Sequence, residues 1–260
     1  MADRREDVAR IGDALDAAGV VLERFRAGGE EVAWKGHDDP VTAADLAVDR
    51  AIREILPRAG EGWLSEETED DAARLDADRV WVVDPIDGTK EFVRAVPEWV
   101  VSIGLIEDRR PVAGGILNPA TGERVVGSIE TGVTLDGRPV TVSTRSDLEG
   151  AVVLASRSES ARGEWDRFRG AGFEIRPTGS VAYKLALVAA GKADATWTLT
   201  PKHEWDVAAG AALVVAAGGR VWQPGGGPLR FNAARPRLTG MAASGPGLAD
   251  AVAATIAPVA

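Results

Sequence analysis

The stretch Val80-Trp81-Val82-Val83 is apolar, rich in β-branched residues, and runs directly into Asp84-Pro85-Ile86-Asp87-Gly88-Thr89. Such a run predicts a buried strand, the kind an α/β sheet supplies. Trp63-Leu64-Ser65 reads the same way and ends on Glu66-Glu67. Two strands whose carboxyl ends carry acids predict a crevice at one edge of the sheet, where α/β proteins build their sites. Pro85 keeps Asp84 out of helical geometry and lacks a backbone donor, so the strand is expected to break there. Asp84 and Asp87 then project from one tight turn, Gly88 allows close backbone approach, and Thr89 starts a helix over 90–94.

A chain of 260 residues with 45% hydrophobic residues has enough apolar surface for one large domain or two packed halves. Its formal net charge of −10 makes it a poor general binder of nucleic acid polymers and anionic lipid. There is no cysteine, which excludes disulfides, thiolate metal sites and cysteine nucleophiles, and only His37 and His203 are histidines. No stretch approaches the roughly 18 uninterrupted apolar residues of a membrane span, and no signal peptide is visible. A cytoplasmic location is the expectation.

Val8, Ile11, Leu15, Ala18, Leu22 and Phe25 recur at helical spacing ahead of Gly28-Gly29. A second helix is expected over 42–56, then strands and turns from 99 to 142. A new unit begins near Ser146, with strands at 151–154, 173–176, 195–199 and 220–222 and helices at 160–169, 181–190 and 207–217. The last helix is Ala- and Val-rich and nearly apolar all round, so it should be buried. The expected fold is α/β (α+β): residues 1–145 form an N-terminal half, 146–260 a C-terminal α/β half, and the two share one crevice.

A helix N-terminus preceded by glycine favours an anion such as phosphate. Two carboxylates beside it would repel that anion unless a cation intervened, and hard oxygen ligands with a phosphate partner point to magnesium. Local readings compete with this one. Asp87-Gly88 also fits a surface turn, Thr42-x-x-Asp45 a capping box, and Asp206 a helix cap.

The block Asp84-Pro85-Ile86-Asp87-Gly88-Thr89 resembles the signature of the inositol monophosphatase superfamily of lithium-sensitive, magnesium-dependent phosphatases. Asp39-Pro40-Val41-Thr42-Ala43-Ala44-Asp45, Leu64-Ser65-Glu66-Glu67 and Trp205-Asp206-Val207-Ala208-Ala209-Gly210 stand in the matching order. The resemblance implies a layered αβαβα sandwich of the sugar-phosphatase type. It implies that Glu66, Asp84 and the Ile86 carbonyl hold one metal and that Asp84, Asp87 and Asp206 hold another, with two or three Mg2+ per site. Gly88 and Thr89 would hold phosphate, and Asp45 with Thr89 would orient or deprotonate the attacking water. Lys35 either neutralises the site or lies on the surface.

In that reading a metal-activated water attacks phosphorus, and no protein nucleophile is needed. Haloacid-dehalogenase phosphatases place a nucleophilic aspartate two residues before a second one. Here the spacing is three and Pro85 intervenes.

For the substrate, Lys90-Glu91-Phe92 and Ser156-Arg157-Ser158 resemble the 3′(2′),5′-bisphosphate nucleotidase branch, and Leu199 replaces a glutamate that contacts inositol in the inositol enzymes. The expected substrate is 3′-phosphoadenosine 5′-phosphate, with Arg157, Lys184 and Lys202 as contacts for a second phosphate. Inositol monophosphate or a sugar phosphate is the alternative. A noncatalytic metal- or phosphate-binding partner protein is the rival of another class, and the intact set Glu66, Asp84, Asp87, Thr89 and Asp206 argues against it. Both a monomer and a homodimer fit these residues.

Overall fold

The computed structural model describes residues 4–34 and 40–257, so Lys35, His37 and Asp39 lie outside the described residues. Helix α1 (Arg4–Leu22) buries Ile11, Leu15, Ala18 and Leu22, the expected stripe. A short antiparallel pair, β1 (Val32–Trp34) and β2 (Pro40–Thr42), leads into α2 (Ala43–Arg53). Then follow β3 (Gly62–Ser65), β4 (Arg79–Asp87), α3 (Thr89–Val93), β5 (Val100–Glu107), β6 (Arg110–Leu117), β7 (Arg124–Ser128), β8 (Gly132–Leu135) and β9 (Arg138–Val140). These seven strands form one sheet in sequence order, with β3 and β4 parallel and the rest antiparallel.

The second part of the chain supplies β10 (Val152–Ser156), α4 (Arg157–Ala161), β11 (Glu174–Thr178), α5 (Val181–Ala189) and β12 (Ala195–Thr198). It continues with β13 (Lys202–His203), α6 (Glu204–Ala216), β14 (Arg220–Trp222), β15 (Arg237–Leu238), β16 (Met241–Ser244) and α7 (Ala249–Ile256). Its five-stranded sheet has the order β11-β10-β12-β16-β14, and β13 pairs with β15 apart from it.

The side-chain alternation of β4 explains the layering, because successive residues face opposite sides of the sheet. Trp81 and Val83 join Ile11, Leu15, Val48 and Ile52 in a core under α1 and α2. Val80 and Val82 join the core around α5 and α6 on the other face. Those two helices also pack against the five-stranded sheet, whose far face buries Trp165, Phe168, Trp197, Leu248 and Val252 beside α7. The order of layers is therefore α, β, α, β, α, two α/β halves around one crevice. Helix α6 lies directly on the first sheet because Gly104 and Gly114 leave room. A Cβ on Gly104 would stand 2.8 Å from the Ala209 nitrogen, and one on Gly114 2.5 Å from the Ala209 carbonyl oxygen.

Two expected elements differ. Strand β4 does not stop at Pro85 but runs to Asp87, and its ladder to β5 shifts register between Asp84 and Asp87. A bulge absorbs the missing proline donor, leaving the strand bent rather than ended. The helix expected over 160–169 is split into α4 and a 3-10 turn, Asp166–Phe168. Gly163, at φ +78°, follows the end of α4 and separates it from that turn, and Trp165 and Phe168 both pack on Trp197, with ring centroids 4.9 and 5.3 Å away.

Candidate active site

Ser65, the last residue of β3, pairs with Val83 of the parallel β4, so Glu66 and Asp84 follow side by side at the same end of the sheet. The bulge then turns the chain so that Asp87 follows on the same side. Asp84 Oδ1 accepts the Ile86 amide at 3.1 Å, which folds the turn back on itself. Gly88 has φ +98°, and a Cβ there would sit 3.0 Å from the Glu98 carbonyl oxygen and 3.2 Å from Trp99. Only glycine suits both the backbone and the space. Across the crevice, the first turn of α6 presents Asp206. Asp84, Asp87 and Asp206 each offer a carboxylate oxygen within 4.8 Å of the others.

Asp45 joins through Thr89. The Thr89 hydroxyl stands 2.9 Å from the Ile86 carbonyl and 3.3 Å from Asp45 Oδ1. The other Asp45 oxygen accepts the Thr42 amide at 2.8 Å and the Thr42 hydroxyl at 2.7 Å. The capping box and the link to Thr89 thus coexist, one on each carboxylate oxygen. Asp206 is similar: it accepts the His203 amide at 3.0 Å as the box partner of α6 while belonging to the acidic cluster.

Burial pushes the Asp84 carboxyl well above its ordinary range, and Glu66, Asp87, Asp206 and Asp45 push it further. Asp206 is likewise raised, by burial and then by Asp87 and Glu66. Burial also raises Asp87, opposed by the Ser180 hydroxyl, the Ala182 amide, Lys184 and Lys202. These carboxylates crowd into low dielectric, an arrangement that favours charge only when a cation shares it. An all-oxygen, all-acid donor set fits a hard divalent ion.

The acids open into a crevice of about 710 Å³ that basic residues also line. Gly88, Thr89, Arg157, Lys184 and Lys202 all line it, as do Trp205 and Arg237. Lys184 is buried, donates to the Ser180 carbonyl at 2.5 Å and the Thr178 carbonyl at 3.3 Å, and is pulled by burial down to about 8 while Asp87 opposes. Arg157 is clasped by Glu98, with nitrogen–oxygen distances of 2.6 and 2.7 Å. His203 stacks on Trp205 at 4.4 Å. Leu199, 38% exposed, is not among the residues lining the crevice.

Several residues around the site carried no mark in the sequence. Glu159 is buried and accepts from Thr198 at 2.5 Å, Thr200 at 2.7 Å and Lys202 at 3.0 Å, which holds Lys202 in the crevice wall. It follows Ser156-Arg157-Ser158 directly, yet alone it reads as an ordinary helix residue. Glu98 reaches the site only through the fold, and Ser180, which stands in the block Gly179–Lys184 that partly resembles the nucleotidase branch, gave no sign of its bond to Asp87.

The inositol monophosphatase family model matches residues 4–257. The chain is 31% identical over 240 residues to inositol monophosphatase 2 of Solanum lycopersicum, covering 87% of this chain and 91% of that one. It is 32% identical over 252 residues to the 3′-phosphoadenosine 5′-phosphate phosphatase of Mycobacterium leprae, covering 89% and 86%. Among solved structures, the extragenic suppressor protein suhB of Bartonella henselae superposes with a TM-score of 0.83 at 29% identity, covering 96% of this chain and 98% of that one. CysQ of Bacteroides thetaiotaomicron gives 0.77 at 29% identity, covering 92% and 97%. Fold, acidic cluster and relatives agree: the chain belongs to the inositol monophosphatase family and is a phosphoric monoester hydrolase.

Proposed function

We propose that the enzyme is a magnesium-dependent phosphatase for 3′-phosphoadenosine 5′-phosphate, releasing one phosphate and leaving AMP. The observation that supports this substrate most is the set of basic residues in the crevice. Lys184, Lys202, Arg157 and Arg237 line the same crevice as the acidic cluster, with Arg157 and Lys202 held in place by Glu98 and Glu159, so a second phosphate has cations to meet. The ring pair His203–Trp205 lines the same crevice and offers an aromatic face to a nucleobase.

In this reading Glu66, Asp84, Asp87, Asp206 and the Ile86 carbonyl would hold two or three Mg2+. Bound there, magnesium would supply positive charge to offset the carboxylates and Lewis acidity to activate a water. Backbone amides at Gly88 and Thr89 bind the phosphate. The Thr89 hydroxyl orients the attacking water and Asp45 takes its proton through Thr89, from 3.3 Å. Arg157 reaches the second phosphate by exchanging Glu98 for it, one charge-assisted pair for another. Inositol monophosphate is the second reading, favoured by the names of relatives such as the Solanum lycopersicum enzyme.

The test is phosphate release with magnesium from 3′-phosphoadenosine 5′-phosphate, inositol 1-phosphate and fructose 1,6-bisphosphate, compared by kcat/KM. The expected preference for the adenosine bisphosphate is about a hundredfold, about 2.7 kcal/mol in transition-state binding. A preference of that size for inositol 1-phosphate would overturn the nucleotidase reading.

A further inference from the structure

Ser180 precedes α5 with φ +54° and ψ +131°, a conformation that residues with a side chain adopt only at a cost. Its hydroxyl accepts the Tyr183 amide at 2.9 Å, the ordinary work of a helix cap. It also donates to Asp87 Oδ2 at 2.6 Å, across 93 positions of sequence. The Ala182 amide donates to the same oxygen at 2.5 Å. Two donors on one oxygen fix the plane of the Asp87 carboxylate, and so the direction in which its other oxygen offers lone pairs.

A glycine at 180 would cap α5 nearly as well and, lacking a Cβ, would carry less backbone strain. What glycine lacks is the hydroxyl on Asp87. Strain of this kind persists where the surrounding structure holds it and an interaction depends on it. We infer that Ser180 is a positioning residue for the cation cluster. It fixes Asp87 from the opposite half of the molecule, and the strained backbone is retained for that hydroxyl. The inference rests on reading Asp84, Asp87 and Asp206 as a divalent cation site, and concerns a residue that is itself no ligand.

The test measures Mn2+ binding to the full chain by calorimetry and by loss of the free-ion paramagnetic resonance signal, with Tm recorded in chelator. Wild type is compared with Ser180→Gly, Asp87→Asn and the double variant. Ser180→Gly should keep or raise Tm in chelator, because its backbone strain is relieved, while Mn2+ affinity falls about tenfold. In the Asp87→Asn background, where Glu66, Asp84 and Asp206 remain, the glycine should change affinity less than twofold, since its effect passes through Asp87.

Wild-type affinity in Ser180→Gly overturns the inference. So does a tenfold loss repeated in the Asp87→Asn background, which would make Ser180 a general structural support. A glycine variant that fails to fold overturns it too, because strain relief requires a chain at least as stable. Wild-type protein that bound no Mn2+ would remove the cation reading underneath, an outcome distinct from the other three.

Discussion

Asp84 carries the sharpest conflict of any single residue, a buried carboxylate ringed by Glu66, Asp87, Asp206 and Asp45. Asp84→Asn keeps the shape and removes the charge, so in chelator the variant should be the more stable protein. About 1–2 kcal/mol of relieved repulsion and desolvation corresponds to a rise in Tm of about 2–8 °C. Phosphate release in magnesium should meanwhile fall by about a hundredfold or more. A lower Tm in chelator would show that the acid cluster is comfortable without a cation.

The sign of the pH dependence follows from the same residues. Asp84 and Asp206 are raised in the fold, so the folded metal-free protein holds their protons more tightly than the unfolded chain does. That stabilisation is full below the ordinary carboxylate range and is lost as pH rises through the raised values. Melting in chelator should thus move to lower temperature as pH rises from about 4 toward neutrality, less steeply in Asp84→Asn. At this scale Glu66, Asp84 and Asp87 were legible because proline, glycine and strand ends shape them locally, whereas Asp45 and Asp206 read locally as helix caps and came forward only through the family resemblance. The bond from Ser180 to Asp87 and the roles of Glu98 and Glu159 were not, since each acts on a partner brought near only by folding, 93 positions away between Ser180 and Asp87.

Helix α6 is the element on which the site depends, because it carries Asp206 in its first turn and lies flat on β5 and β6. Gly114→Ala would place a methyl 2.5 Å from the Ala209 carbonyl oxygen, backbone against backbone, where no side chain can swing aside. Lifting the helix should cost about 1–3 kcal/mol, a fall in Tm of about 2–12 °C. It should also weaken magnesium binding, because the helix takes Asp206 with it. An unchanged magnesium requirement for half-maximal activity would show that α6 tilts without moving its first turn. The apolar composition of this helix predicted its burial, and nine of its residues are buried. The two glycines that seat it lay in β5 and β6, where a strand pattern gives no hint of what lies above. Strand β16 was missed for a related reason: Met241-Ala242-Ala243-Ser244 has neither β-branched residues nor alternation, yet it lies between β12 and β14.

The whole molecule joins its layers at the crevice. Glu66, Asp84 and Asp87 come from the edge of the seven-stranded sheet, Asp206 comes from the helical layer above it, and Ser180 and Ala182 hold Asp87 from α5. The five-layer order followed from the family resemblance and not from periodicity, since hydrophobic patterns mark which faces are buried but not which partner buries them. A cation bound among these acids, as proposed, would ligate more than one layer at once, and its binding energy would become stability of the assembled fold. At magnesium a hundredfold above its dissociation constant the gain is about 2.7 kcal/mol, or about 5–10 °C in Tm for a chain of this size. Asp206→Asn removes the only one of the three clustered aspartates that α6 supplies. The variant should retain less than half of the magnesium-dependent rise while melting in chelator at or above the wild-type temperature. Differential scanning calorimetry with magnesium and with chelator reads both quantities on the same protein. An undiminished magnesium increment in Asp206→Asn would mean that the ion sits on the sheet edge alone and does not tie α6 to it.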